Sequence, residues 1–285
     1  MKRGLKRTFL LSMLMVAISL QYCTSPKPAK DIGVQLWSVR HAMNPNPDST
    51  LKVISEMGYT FIEAAGYDDG KFYGMEPAEF KALLEENGLV MLSSHTGSHF
   101  PDSAEWESTM QWWDKAIDAH LAAGADYIVI PSTPKEFKDI NTMQRYCDFL
   151  NTVGEKCKTK GLLFGLHNHK REFKTLNDTV IYNFLVENTN PEFVFFQMDL
   201  YWITDAGADP VKYFEKYPGR FTLWHVKDEA AVGASGKIDF KRIFENEDQS
   251  GVKEIIVEVE VEPENSFEEV KKSIEFLQEA EYVQF

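Results

Sequence analysis

From Asp31 onward, short apolar runs of β type alternate with longer segments in which apolar positions recur every three or four residues. The short runs are IGVQLWSV (32–39), TFIEAA (60–65), LVMLSSH (89–95), DYIVIPS (126–132), LLFGLHN (162–168), FVFFQMDL (193–200), FTLWHV (221–226) and EIIVEVE (254–260). Between and after them lie helical patterns such as STLKVISEMG, PAEFKALLEENG, MQWWDKAIDAHLAAG and FEEVKKSIEFLQEA. Several of these end at glycine (Gly58, Gly88, Gly124, Gly161), which suits a left-handed cap before the next strand, and Pro77 stands where a helix begins. Near-continuous apolar strands alternating with helices predict parallel pairing buried on both faces. Eight such units, with neither a repeat nor a low-complexity linker to divide them, predict an α/β fold of one kind: a single (β/α)8 TIM barrel over residues 31–285. Neither G-x-G-x-x-G nor G-x-x-x-x-G-K-[ST] follows a strand, so a nucleotide-binding open sheet gains no support.

The first thirty residues break this pattern. MKRGLKR is basic, TFLLSMLMVAISL is apolar but too short for an ordinary membrane span, and Gln21-Tyr22-Cys23 is a polar exit. That order predicts an export signal over residues 1–22. Leu20-Gln21-Tyr22-Cys23 also resembles a bacterial lipoprotein signal with Cys23 as the lipidated residue, although Tyr22 is bulky where a small residue is usual. Residues 23–30 then read as a tether, and the expected location is the periplasm or a membrane-anchored lipoprotein. Cys147 and Cys157 fall in one predicted helix about 15 Å apart, too far to form a disulfide.

Composition narrows the function. At 44% hydrophobic and 26% charged residues the chain is an ordinary globular one, and its formal charge of −14 argues against a nucleic-acid partner, which requires clustered Lys and Arg. A small-molecule ligand or a metal held by carboxylates fits better.

In a barrel, polar residues at the C-terminal ends of strands form the active-site face. Here those ends carry Glu63, His95, His167-Asn168-His169, Asp199, His225 and Glu258 with Glu260. Each alone has an ordinary structural reading: Asp199 as a cap, His225 as a donor to a carbonyl. Six such ends converging on one mouth are harder to explain as packing. Unpaired buried carboxylates are costly, so carboxylates clustered with imidazoles predict one divalent ion, Mn2+, Zn2+, Co2+ or Fe2+ rather than Ca2+.

The motifs LHNHKREF (166–173), FQMDLYWITDAGADP (196–210), GRFTLWHVKD (219–228) and IIVEVE (255–260) carry a resemblance to the sugar phosphate isomerase/epimerase group of xylose-isomerase-like barrels. The resemblance implies a metal held by Asp199, His225 and Glu258. At the remaining ligand position the family's Glu-Asn-His stands here as His167-Asn168-His169, so His167 is the replacement ligand or Glu172 swings in from the loop. It further implies removal of a proton beside a sugar carbonyl, with Glu258 as base and ligand and His169 or Glu172 on the opposite face. Lys227 is either a cation aimed at an oxyanion or a structural ion pair. Glu63, His95, Trp37 and Trp202 are candidate sugar contacts, each with a packing role as its alternative. The loops VGASGK and EPEN after the last two strands do not suggest a phosphate site, so the expected substrate is an unphosphorylated sugar. The expected activity is isomerisation or epimerisation. A lyase or hydratase on 3-keto-glycosides would use the same enolate, and a non-catalytic envelope sugar-binding protein is the third reading. Oligomeric state is not legible.

Overall fold

The structure, a computed structural model, describes residues 30–285; the expected signal segment 1–22, Cys23 and all but the last residue of the tether lie outside the described residues. Eight strands are laid down in chain order: β1 (Gly33–Gln35), β2 (Phe61–Ala64), β3 (Val90–His95), β4 (Tyr127–Ile130), β5 (Leu163–His167), β6 (Phe195–Asp199), β7 (Leu223–Val226) and β8 (Glu254–Val257). Each pairs in parallel with the next, and β8 closes on β1. Helices cover the outside, among them Pro77–Glu86, Trp106–Ala123, Ile140–Lys160 and Ser266–Glu279. This is a single (β/α)8 barrel, as the alternation of patterns predicts.

Strand lengths differ from expectation where side chains intervene. The run 32–39 contributes only three strand residues, because the Gln35 side chain accepts from the Trp37 backbone N–H (3.0 Å) and turns the chain into a 3-10 helix, Leu36–Val39. Two antiparallel hairpins, Tyr67–Asp68 with Lys71–Phe72 and Thr175–Leu176 with Thr179–Val180, decorate the loops after β2 and β5. The second turns through Asn177 and Asp178, at φ of 49° and 60°, a pair of left-handed residues that suits a tight hairpin. Cys147 and Cys157 are both free and buried on the helix Ile140–Lys160.

The barrel interior is graded along its axis. Its lower layer is apolar, with Phe61, Tyr127, Val129, Phe195, Leu223 and Ile256 packed together. Two glycines make room for the large rings: a Cβ on Gly33 would lie 2.0 Å from the Phe61 ring, and one on Gly165 would lie 2.4 Å from that of Phe195. Two residues beyond Phe61, Phe195, Leu223 and Ile256 the side chains turn polar, at Glu63, Gln197, His225 and Glu258, whereas β4 stays apolar. Register places Gln35 beside Glu63, Glu63 beside Ser93, Gln197 beside His167, and Asp199 beside His225. A register shift between Ile62 and Glu63 lies directly beneath this polar layer.

Candidate active site

The floor of the site is organised by one carboxylate. Glu63 is completely buried, and its Oε1 accepts from Gln35 Nε2 (2.6 Å) and His225 Nε2 (2.6 Å). Its Oε2 accepts from Ser93 Oγ (2.6 Å) and Gln197 Nε2 (2.8 Å), and His95 Nε2 stands 3.1 Å from Oε1. Burial pushes the Glu63 carboxyl up, but the neighbouring His95 and His225 outweigh it and hold it at about 2. The sequence suggests Glu63 as a sugar contact; the structure instead places it under the site, where its oxygens are taken up by protein donors. Gln35, Ser93 and Gln197, which complete this network, carry no signal in the sequence beyond their place near strand ends.

Above Glu63, His167, Asp199, His225 and Glu258 converge, with one potential ligand atom from each within 4.8 Å of the others. Asp199 caps the helix Leu200–Asp205 with Oδ1, which accepts from Trp202 N (2.7 Å), and leaves Oδ2 without a partner. His167 Nδ1 lies 3.1 Å from the Pro131 carbonyl, while its buried Nε2 is also unpartnered and faces Asp199 Oδ2 at 3.4 Å. His225 Nδ1 meets Glu258 Oε2 at 3.2 Å. Asn168 ties the ends of β5 and β6 together, accepting from Asp199 N at 3.1 Å.

These residues fit a divalent ion. Two buried orphan atoms, one imidazole nitrogen and one carboxylate oxygen, face each other across a gap without bonding. Donors each about 2.1 Å from a shared ion stand roughly 3.0–3.4 Å from one another, and the separations of 3.2 and 3.4 Å match that spacing. The Glu63–His225 contact is the outer hydrogen bond that orients a ligating imidazole. Without an ion, burial opposes charge on His225, but Glu63 and Glu258 on its two sides outweigh burial and raise it to about 10. The Nδ1 proton is the one an ion would replace. Burial raises Asp199 to about 6 against the opposing pull of Lys227.

Lys227 is buried beside this cluster. Its Nζ lies 3.0 Å from Glu258 Oε2, 3.0 Å from Glu260 Oε2, 4.0 Å from Asp199 Oδ2 and 5.0 Å from the centre of the Trp202 ring. Burial disfavours its charge, yet Glu258, Asp199 and Glu260 more than compensate and raise it. The same ammonium, with His225, holds Glu258 well below the usual carboxylate range despite burial.

A cavity of about 290 Å3 opens over the cluster between Trp37, Pro131 and His169, with His95, His167 and Glu258 beneath. Trp37 is 44% exposed at its rim, steadied by Arg40, whose guanidinium lies 4.6 Å from the indole centre. Trp202 does not line this cavity; it backs His169 at 5.7 Å between ring centres. His169 Nδ1 has no partner, and burial together with His167 lowers the ring to about 3, so it is neutral.

Glu172 is not brought to the ligand cluster. Its carboxylate accepts from His169 N (2.8 Å), Arg171 Nε (2.9 Å) and the Thr133 hydroxyl, capping the 3-10 turn Lys170–Phe173 and facing a neighbouring cavity. Of the two sequence candidates for the variable ligand position, His167 is in the cluster and Glu172 is locked outside it.

The protein has marked similarities to known ones. It aligns with a sugar phosphate isomerase/epimerase from Parabacteroides distasonis ATCC 8503 at 30% identity and a TM-score of 0.85, covering 92% of this chain and 98% of that one. Inosose dehydratase of Lacticaseibacillus casei is 24% identical over 274 residues, 81% of this chain and 91% of the relative. Inosose dehydratase of Geobacillus kaustophilus (strain HTA426) is 22% identical over 202 residues, 64% of this chain, and the match spans 61% of that relative's length. The family model of xylose isomerase-like TIM barrels matches residues 51–280. The chain belongs to the xylose isomerase-like TIM barrel family.

Proposed function

We propose that this chain is a divalent-metal-dependent enzyme that removes the proton beside the carbonyl of an unphosphorylated sugar, with isomerisation or epimerisation as the outcome. The observation that carries the reading is the pair of unpartnered buried atoms, His167 Nε2 and Asp199 Oδ2, set with His225 and Glu258 at the base of an open cavity. A bound divalent ion would polarise the substrate carbonyl and lower the cost of charge on its oxygen by several kcal/mol. The protein's own groups supply the rest. Glu258, kept ionised by Lys227 and His225, is the carboxylate available to accept the carbon-bound proton. Lys227 holds a proton 3.0 Å from Glu258 and can steady negative charge. Neutral His169, whose ring lines the same cavity, is the candidate for a second proton-handling group.

An unphosphorylated substrate is supported by the loop after β7, where backbone amides that would cradle a phosphate are already engaged. Ala231 N donates to Glu269 Oε2 (2.9 Å), Val232 N to Ser273 Oγ (3.0 Å) and Ser235 N to Asp228 Oδ2 (3.2 Å).

One observation favours a second reading, elimination of a hydroxyl or glycoside from the same enolate. The titratable groups that line the cavity are of two unlike kinds, the carboxylates Glu258 and Glu260 and the imidazoles His95, His167 and His169. Elimination needs one base and one proton donor rather than two matched bases. Proton NMR in D2O, with Mn2+-loaded protein and a panel of free ketoses and 3-keto-glucosides, tests both. Deuterium entering beside the carbonyl is the expected result, and the product separates isomerisation from elimination. Absence of exchange in every substrate by metal-loaded protein would refute the enolising reading.

A further inference from the structure

We infer that this site is biased toward nitrogen-seeking Zn2+ at the expense of oxygen-seeking Mn2+, and that His167 sets the bias. The inference rests on the metal-dependent reading above and concerns which ion the site is built for. The donor set holds two imidazoles and two carboxylates, and the geometry prepares both imidazoles in advance. A carbonyl only accepts, so His167 donates its Nδ1 proton to Pro131 O at 3.1 Å and turns a bare Nε2 lone pair into the cluster. His225 donates Nε2–H to Glu63 Oε1 at 2.6 Å, which directs Nδ1 into the cluster, where it meets Glu258 Oε2 at 3.2 Å and an ion would take the place of its proton. His95 extends the imidazole side: His95, His167 and His225 form a second group of potential ligand atoms within 4.8 Å, with ring centres 4.7–5.0 Å apart.

Imidazole nitrogen suits Zn2+, whereas carboxylate, carbonyl and water oxygen suit Mg2+ and Mn2+. A buried lone pair with no hydrogen-bond donor is also a standing cost that a nitrogen-seeking ion removes. Glu172, the carboxylate nearest in sequence that might have supplied an oxygen instead, is held by three donors on the far side of its turn.

Nearly any site binds Zn2+ more tightly than Mn2+, so the informative quantity is the ratio of the two affinities and its response to the ligand. The purified protein and H167E are each titrated with Zn2+ and with Mn2+ against a chromophoric chelator, with circular dichroism to verify folding. The expected result is a Zn2+-to-Mn2+ affinity ratio at least about tenfold lower in H167E. A folded H167E whose ratio stays within about twofold of the parent overturns the inference. Pulsed EPR of the unmodified Mn2+-loaded protein gives an answer that does not depend on the variant folding. Couplings from at least two imidazole nitrogens support the inference, and a single imidazole overturns it. Failure of the unmodified protein to bind either ion would refute the metal-dependent reading itself, a result distinct from binding with an unchanged ratio.

Discussion

Glu63 shows how a residue buried beneath the cavity can control the site. Its two oxygens accept from Gln35, His225, Ser93 and Gln197, and through His225 they decide which ring nitrogen faces the ligand cluster. In E63Q one oxygen becomes an NH2 group, which must point at donors already present. The His225 tautomer is then no longer imposed. Loss of such an outer hydrogen bond costs about 10- to 100-fold in metal affinity, and that is the expected drop in Zn2+ affinity measured by chelator competition. A folded E63Q with unchanged affinity would mean that His225 is oriented by packing alone. Trp37 is the opposite case, a large apolar side chain left half in water at the cavity rim.

The helix Trp106–Ala123 carries a buried titratable group away from the site. His120 donates Nδ1–H to Ala116 O (2.6 Å) and accepts at Nε2 from Thr96 (3.0 Å), and its ring packs against Tyr67 and Phe72 of the first hairpin. Burial lowers it from 6.5 to about 4, with the bond to Ala116 only partly opposing. Between those two values the unfolded chain binds the proton and the folded one does not. The contribution to stability is therefore complete above pH 6.5 and is lost as pH falls toward 4, to an extent of roughly 3 kcal/mol. Urea denaturation across that range is expected to show a flatter pH dependence for H120Q than for the unmodified protein; parallel curves would contradict this. The elements themselves were legible to different degrees. Strands and long helices could be read because near-continuous apolar runs mark the strands and an apolar period of 3.6 residues marks the helices over whole segments. The end of β1 could not, because it is set by the Gln35 side chain turning back on the Trp37 backbone. The strand-end residues Asp199, His225 and Glu258 could be placed because barrel strands deliver their ends to one face. The outward lock on Glu172 depends on Thr133, nearly forty positions away, which no local pattern reveals.

At the scale of the molecule the barrel is a gradient, with an apolar lower layer and a polar, highly charged upper one. The apolar layer needs no partner. The upper layer leaves His167 Nε2 and Asp199 Oδ2 unsatisfied and sets Asp199, Glu258 and Glu260 around one ammonium. A net charge of −14 adds a long-range field that draws cations to the protein. An ion that binds only the folded barrel must stabilise it by mass action, by about 2.7 kcal/mol when its free concentration is a hundred times its dissociation constant. For a domain of this size each kcal/mol raises the unfolding midpoint by about 2–4 °C. Calorimetry with saturating Zn2+ or Mn2+ should therefore show a rise of roughly 5–10 °C over chelator-treated protein. D199N, which keeps the shape of the side chain but replaces a charged oxygen of the ligand cluster, should lose most of that rise. A similar rise in D199N would place the stabilising ion somewhere other than the barrel mouth. No rise in the unmodified protein would mean that the orphaned atoms are satisfied by something other than a metal.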